Sequence, residues 1–213
     1  MTHLLLFVMY LILSCMAWII VGLGNPGTEY EKTRHNAGRL AVERFAKLTH
    51  LEDWQDEKKV KAHIARGLIG KDIVVCVLPD TFMNKSGLAV GKYVKSPKAA
   101  EKLVVVYDDL DLPIGRMKLS YDRGSGGHKG LDSIMKTVKT RAFARIRIGI
   151  SAETPGGKLK KVQGDKLVND FILGSFKPNE MKELDIVFDR TTDAIKAILE
   201  RGPLIAMNEF NKI

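Results

Sequence analysis

Trp18-Ile-Ile-Val-Gly22-Leu-Gly24-Asn25-Pro-Gly27 is an apolar run of strand character that ends in a glycine-rich loop. How that loop is read decides the fold. It matches G-x-G-x-x-G after a strand, the fingerprint of a dinucleotide-binding unit. That fingerprint requires a helix to open at once and a second strand to end in an acidic residue about 20 positions later. Here helical periodicity begins only near His35, and residues 42–50 read as helix where the second strand should run. The glycines therefore read as permitting a tight turn that presents Asn25, with Pro26 stiffening it. A nicotinamide or flavin enzyme is the weaker alternative.

Outward from this loop, strand-like runs recur at 60–66, 73–78, 103–107, 116–120 and 145–150. Helical periodicity covers 36–48, where Ala37, Leu40, Ala41, Phe45 and Leu48 share a stripe, and then 84–95, 129–139 and 179–200. Pro178 suits the first turn of the last of these, and Gly202-Pro203 precedes a short closing helix at 203–210. Such alternation predicts an α/β single domain: a twisted, mostly parallel mixed sheet with helices on both faces. Its 213 residues suit one core, and neither a repeat nor a linker divides them.

Cys15 and Cys76 are too few for a disulfide framework or a zinc site, and Cys76 lies inside the run Ile73-Val-Val-Cys-Val-Leu78. A buried thiol in a reducing cytosol is expected. Leu4 to Met16 is almost wholly apolar. A spanning helix of about 20 residues would consume Ile19-Ile-Val21, which the first strand needs, and a signal peptide would carry a basic start that is missing. The expectation is a soluble domain over 16–213, translated from Met16, with 1–15 as a dispensable extension. An N-terminal anchor is the alternative.

The net charge of +9 is localised, because residues 116–166 hold 13 Lys/Arg against 4 Asp/Glu while the remainder is balanced. That concentration suggests a polyanionic partner, although charges spread over several faces would give the same linear count.

Four polar side chains stand in short loops beside apolar runs: Asn25, His35, Asn84 and Asp108. Side chains at strand ends converge on one rim of an open α/β sheet, where ligands bind. His35 lies where a loop becomes a helix, next to polar Asn36. Its imidazole, titrating near roughly 6.5, takes a proton from water when a carboxylate fixes its tautomer. Asp108 ends the run Leu103-Val-Val-Val-Tyr107 and is expected to be exposed at the sheet rim as that carboxylate, whereas Asp109 and Asp111 read equally as turn formers before Pro113. A magnesium site built from the three carries less weight, since no further acidic ligand is paired with them. Asn84 reads either as a helix cap or as a carboxamide that holds a carbonyl and steadies an oxyanion.

Together these stretches resemble the bacterial-type peptidyl-tRNA hydrolases. The likeness spans 18 to about 211 and rests on six ordered motifs: Val-Gly-Leu-Gly-Asn25-Pro-Gly, Thr-Arg-His35-Asn-Ala-Gly, Phe-Met83-Asn84-Lys-Ser-Gly, Asp108-Asp-Leu-Asp-Leu-Pro, Gly126-Gly-His128-Lys-Gly130-Leu and Arg145-Ile-Arg147-Ile-Gly-Ile. The resemblance implies a monomeric cytoplasmic enzyme that cleaves the ester of peptidyl-tRNA without metal or organic cofactor and away from membranes. It implies His35 as base, Asp108 as its orienting partner, Asn25 as positioner of water and substrate, and Asn84 as holder of the scissile carbonyl. Tyr30 and Met83 would line the same crevice, and Lys118, Lys129 and Arg147 would meet the tRNA acceptor stem. Lys129 departs from the family pattern, which usually has Asn there. Lysine cannot accept a hydrogen bond, but its charge could grip a phosphate or an oxyanion. A non-catalytic RNA-binding relative is the alternative implied, against which the four intact polar residues speak.

Overall fold

The structure, a computed structural model, describes residues 17–154, 156–160 and 162–212. The proposed extension and Cys15 lie outside the described residues.

A seven-stranded mixed sheet runs β2-β3-β4-β1-β5-β7-β6. Its strands are β1 (Trp18–Gly22), β2 (Gln55–Glu57), β3 (Ala62–Ile69), β4 (Asp72–Pro79), β5 (Leu103–Pro113), β6 (Met117–Tyr121) and β7 (Ala144–Ser151). The central four, β4-β1-β5-β7, are parallel, and antiparallel strands finish both edges. Every residue of β1 is buried, as expected of a parallel strand covered on both faces. Alternate residues feed two separate cores. Trp18 and Ile20 pack beneath α1 (Ala37–Leu48), α5 (Pro178–Arg201) and α6 (Pro203–Phe210), while Ile19 and Val21 pack beneath α2 (Gly87–Val90) and α3 (Lys129–Val138).

Several sequence expectations need correction. The stripe of α1 is Ala37, Ala41, Val42, Phe45 and Ala46, and Leu48 is exposed at the helix end. The helix expected at 84–95 shrinks to a 3-10 turn at Met83–Lys85 and the four residues of α2. The cause is close packing: a Cβ on Gly87 would stand 2.3 Å from the Ser133 carbonyl oxygen, and one on Gly91 would stand 2.5 Å from Thr137 Cγ2. These glycines let the segment lie against α3 at the expense of helix propensity. Unforeseen elements are β2, a short edge strand, and α4 (Asp165–Ile172), which buries no residue fully.

One register detail builds the site. β1 pairs with β5 only as far as Gly22 opposite Val106, whereas β5 continues alongside β7 through Asp108 and Asp109. The place vacated by β1 is filled by the 3-10 turn Arg34–Asn36 that leads into α1. Its approach is close, for a Cβ on Gly38 would lie 2.1 Å from the Val106 carbonyl oxygen. Only glycine admits that contact.

Candidate active site

Asp108 is therefore buried, at 4% exposure, instead of exposed at the sheet rim. Beyond the end of β1, two imidazoles replace solvent around it. His35 Nδ1 lies 2.9 and 3.0 Å from the two carboxylate oxygens, and His128 Nε2 lies 3.1 Å from Oδ1. The rings of His35 and His128 stand 5.1 Å apart, and Tyr107 meets His128 edge-on at 5.0 Å. Burial alone would raise the Asp108 pKa, but the charges and hydrogen bonds of the two histidines bring it well below the usual carboxylate range.

The two histidines are not equivalent. His128 is the N-cap of α3, and its Nδ1 accepts from the amides of Gly130 and Leu131 at 3.2 and 3.4 Å. The proton of a neutral ring must then sit on Nε2, where it is donated to Asp108. Both nitrogens of His128 are occupied. His35 spends Nδ1–H on Asp108, so its Nε2 is left without a partner among the described residues, and its ring lines a crevice of about 700 Å³. Burial opposes a charge on His35, the charge and hydrogen bond of Asp108 outweigh that effect, and the Lys129 ammonium works against them; the net pKa is raised.

Asn25 is fixed by its neighbours. Its amide donates to Asn36 Oδ1 at 2.8 Å and its carbonyl accepts from Asn36 Nδ2 at 3.0 Å. Its side-chain Oδ1 accepts from the Met83 amide at 2.9 Å. The latter bond ties the loop after β1 to the turn bearing Asn84 and leaves Asn25 Nδ2 as a donor on the crevice wall. Asn84 caps no helix. It sits within the 3-10 turn, exposed along the crevice.

Of the other expected residues, Met83, Lys129 and Arg147 line the crevice, whereas Tyr30 and Lys118 are not among its lining residues. Tyr30 belongs to the turn before His35, where its carbonyl accepts from the Thr33 amide and hydroxyl. Arg147 is ion-paired with Asp109, and burial and that carboxylate act on it in opposite senses, with the net pKa raised. Lys118 is exposed on β6 directly opposite Arg147, so the two share one face of the sheet edge. The basic stretch is thus partly internal. Arg145 is wholly buried, donates to the Gly124 carbonyl at 2.7 Å and stacks 4.6 Å from the Phe143 ring centre, which anchors the glycine loop before His128.

Sequence reasoning missed His128 and Arg34. The former stood in a quoted motif, and its place immediately before a helix was the available signal. Arg34 bonds the Gly174 and Ser175 carbonyls at 3.2 and 2.8 Å and Glu180 at 3.0 Å, holding the end of α4 and the start of α5 beside His35. His35, Asp108 and His128 also have the make-up of a metal-binding trio, their ligand atoms lying within 4.8 Å of one another. A cation held there would displace the two hydrogen bonds to Asp108.

Because His128 both caps α3 and binds Asp108, its substitution separates two effects. His128→Asn keeps a good N-cap but is too short to serve Asp108, whereas His128→Ala loses both functions. The alanine variant is expected to be about 1 kcal/mol less stable than the asparagine variant, with comparable losses of activity. Equal stability in urea melts would show that the cap contributes nothing.

A carboxylate-backed imidazole with one free nitrogen, at the carboxyl ends of parallel strands, is the equipment of a hydrolytic α/β enzyme. Comparison gives the family. The family model for peptidyl-tRNA hydrolases matches residues 19–213. The peptidyl-tRNA hydrolase of Aquifex aeolicus is 38% identical over 195 residues, covering 91% of this chain and 96% of that protein. The Herpetosiphon aurantiacus enzyme of the same name is 40% identical, with 91% and 90% covered. A crystal structure of peptidyl-tRNA hydrolase from Acinetobacter baumannii matches with a TM-score of 0.80 at 33% identity, covering 93% of this chain and 95% of that one. The chain belongs to the peptidyl-tRNA hydrolase family.

Proposed function

We propose that this protein hydrolyses the ester joining a peptide, or an N-blocked amino acid, to the terminal ribose of tRNA, by attack of a water that His35 activates. The observation that carries this reading is the asymmetry of the two histidines on Asp108, which leaves His35 Nε2 as the unengaged basic nitrogen. Water gives a proton to Nε2 as its oxygen bonds to the carbonyl carbon, and the carbonyl electron pair moves onto oxygen. Asp108 stabilises the imidazolium. The Asn84 carboxamide donates to the oxyanion, an interaction worth roughly 3 kcal/mol of barrier at known sites, while Asn25 Nδ2 orients water and substrate. Collapse of the intermediate breaks the bond to the ribose oxygen, which takes the proton back from His35. No step in this scheme calls for a metal or an organic cofactor.

The test is release of acetylated amino acid from N-acetylaminoacyl-tRNA. Binding without release would sink the enzymatic reading in favour of a non-catalytic RNA-binding relative.

Contact with the acceptor stem is inferred on the β6–β7 edge. Lys118 and Arg147 there suit shape and charge recognition, common to many tRNA sequences. Each phosphate contact contributes about 0.9 to the slope of log affinity against log salt in duplex nucleic acid. Lys118→Ala should flatten that slope by about one unit or less. Arg147→Ala should do so by less, because Asp109 already neutralises part of its charge. An unchanged slope in the double variant would remove this edge from the tRNA surface. Action as a cytoplasmic monomer is part of the same proposal. No helix among the described residues is long and apolar enough to cross a membrane.

A further inference from the structure

We propose that the Lys129 ammonium, acting beside Asn84, steadies the negative charge that forms on the scissile carbonyl oxygen. This rests on the assignment of His35 as base and Asn84 as carbonyl holder.

Lys129 is the first residue of α3. The residue before it, His128, bonds Asp108, and the residue after it, Gly130, lies so close to Met83 that an added Cβ would stand 2.5 Å from the thioether sulfur. The backbone of Lys129 therefore bridges the imidazole pair and the turn that presents Asn84. Its side chain is exposed and lines the crevice. Among the described residues it forms no ion pair, for Asp108 is engaged by two histidines and Asp109 by Arg147.

Attack of water creates two opposite charges, an imidazolium on His35 and an oxyanion on the substrate. Asp108 answers the first. Lys129 stands to answer the second: it lines the crevice, and its field already reaches His35, where it opposes protonation. Of the other charged groups on the crevice, Arg147 and Asp109 pair with each other, and Arg123 and Asp111 lie on its exposed wall. Asp108 faces His35 from β5 and His128 from the cap of α3, whereas α4 contributes Val168, Asn169 and Ile172 to the crevice. From α1, Arg39 is directed to the Pro79 carbonyl and Glu43. A charge aimed at a developing oxyanion acts on the transition state more than on the bound ester, so its loss should appear in kcat.

The same ammonium could instead hold the last phosphodiester of the RNA, and two substrates separate these roles. Full-length wild type, Lys129→Met, Lys129→Asn and His35→Ala are compared on N-acetylaminoacyl-tRNA and on an N-acetylaminoacyl ester of adenosine, which has no phosphate. Lys129→Met should lose about 10²-fold in kcat on both substrates with little change in KM. Lys129→Asn, which keeps a hydrogen-bond donor without the charge, should fall between it and wild type. The acidic limb of the kcat/KM profile should move to higher pH in both, since a cation opposing His35 protonation has been removed. Wild-type kcat in Lys129→Met, or a loss confined to KM on the phosphate-bearing substrate, would overturn the proposal while leaving the His35 assignment standing. Full activity of His35→Ala would instead remove that assignment. Lys129 is exposed, so both variants should fold, and melting curves verify it.

Discussion

His35→Ala is expected to lower the rate of N-acetylaminoacyl-tRNA hydrolysis by about 10²–10⁴-fold, the range of a general base, with tRNA affinity close to wild type. The ring spends one nitrogen on Asp108 and offers the other to the crevice, so its removal deletes the proton acceptor without touching the β6–β7 edge. It also leaves Asp108 with the His128 bond alone, and some stability is lost with the activity. Full turnover in the purified variant, measured under single-turnover conditions, would show that another group takes the proton.

Asp108→Asn should be as inactive, for a different reason. The aspartate carboxylate accepts from two N–H groups, but a carboxamide has one oxygen and one NH₂ to present. The α3 amides hold Nδ1 of His128 as an acceptor and so fix its Nε2–H. If the carboxamide oxygen serves His128, its NH₂ faces His35, whose ring must carry the proton on Nε2 to accept that bond. The base then has no free lone pair toward the substrate. A loss of about 10²–10⁴-fold should coincide with a change of His35 tautomer in ¹⁵N ring spectra, and an unchanged tautomer would refute the argument. The alternative orientation leaves a buried donor opposed to His128, at about 1–3 kcal/mol.

The stability of the pair has a definite pH window. His35 has a raised folded-state pKa, so its contribution is complete below its ordinary value of 6.5 and is lost as pH rises through the folded value. The Asp108 pKa is depressed, so its contribution is complete above its ordinary 3.8 and is lost as pH falls through the folded value. Wild type should exceed Asp108→Asn in stability most between these ordinary values, with the gap narrowing on either side.

Elements that bury a full face were legible in the sequence. The four parallel strands are long apolar runs, and α1, α3 and α5 carry repeating apolar stripes. What escaped lacks such a signal: β2 reads Gln55-Asp-Glu and pairs only at an edge, and α4 buries nothing completely. The segment 84–95 has helical spacing, yet its two glycines serve contact with α3. The site divides in the same way. Asn25, His35, Asn84 and Asp108 were identifiable by chemistry and loop position, and all four line one crevice. The burial of Asp108 and the part played by His128 depend on where β1 stops relative to β5, a tertiary fact that no local pattern encodes.

That overhang also couples activity to strand register. Side chains alternate across a sheet, so a one-residue slip of β5 against β7 would carry the carboxylate to the opposite face and bring Tyr107 or Asp109 to the level of the histidines. Compact chains with every helix formed but with this ladder misaligned would lack the His35–Asp108 contact altogether. Recovery of hydrolysis during refolding therefore times the locking of β5 onto β7, and far-ultraviolet ellipticity would run ahead of it whenever collapse precedes alignment.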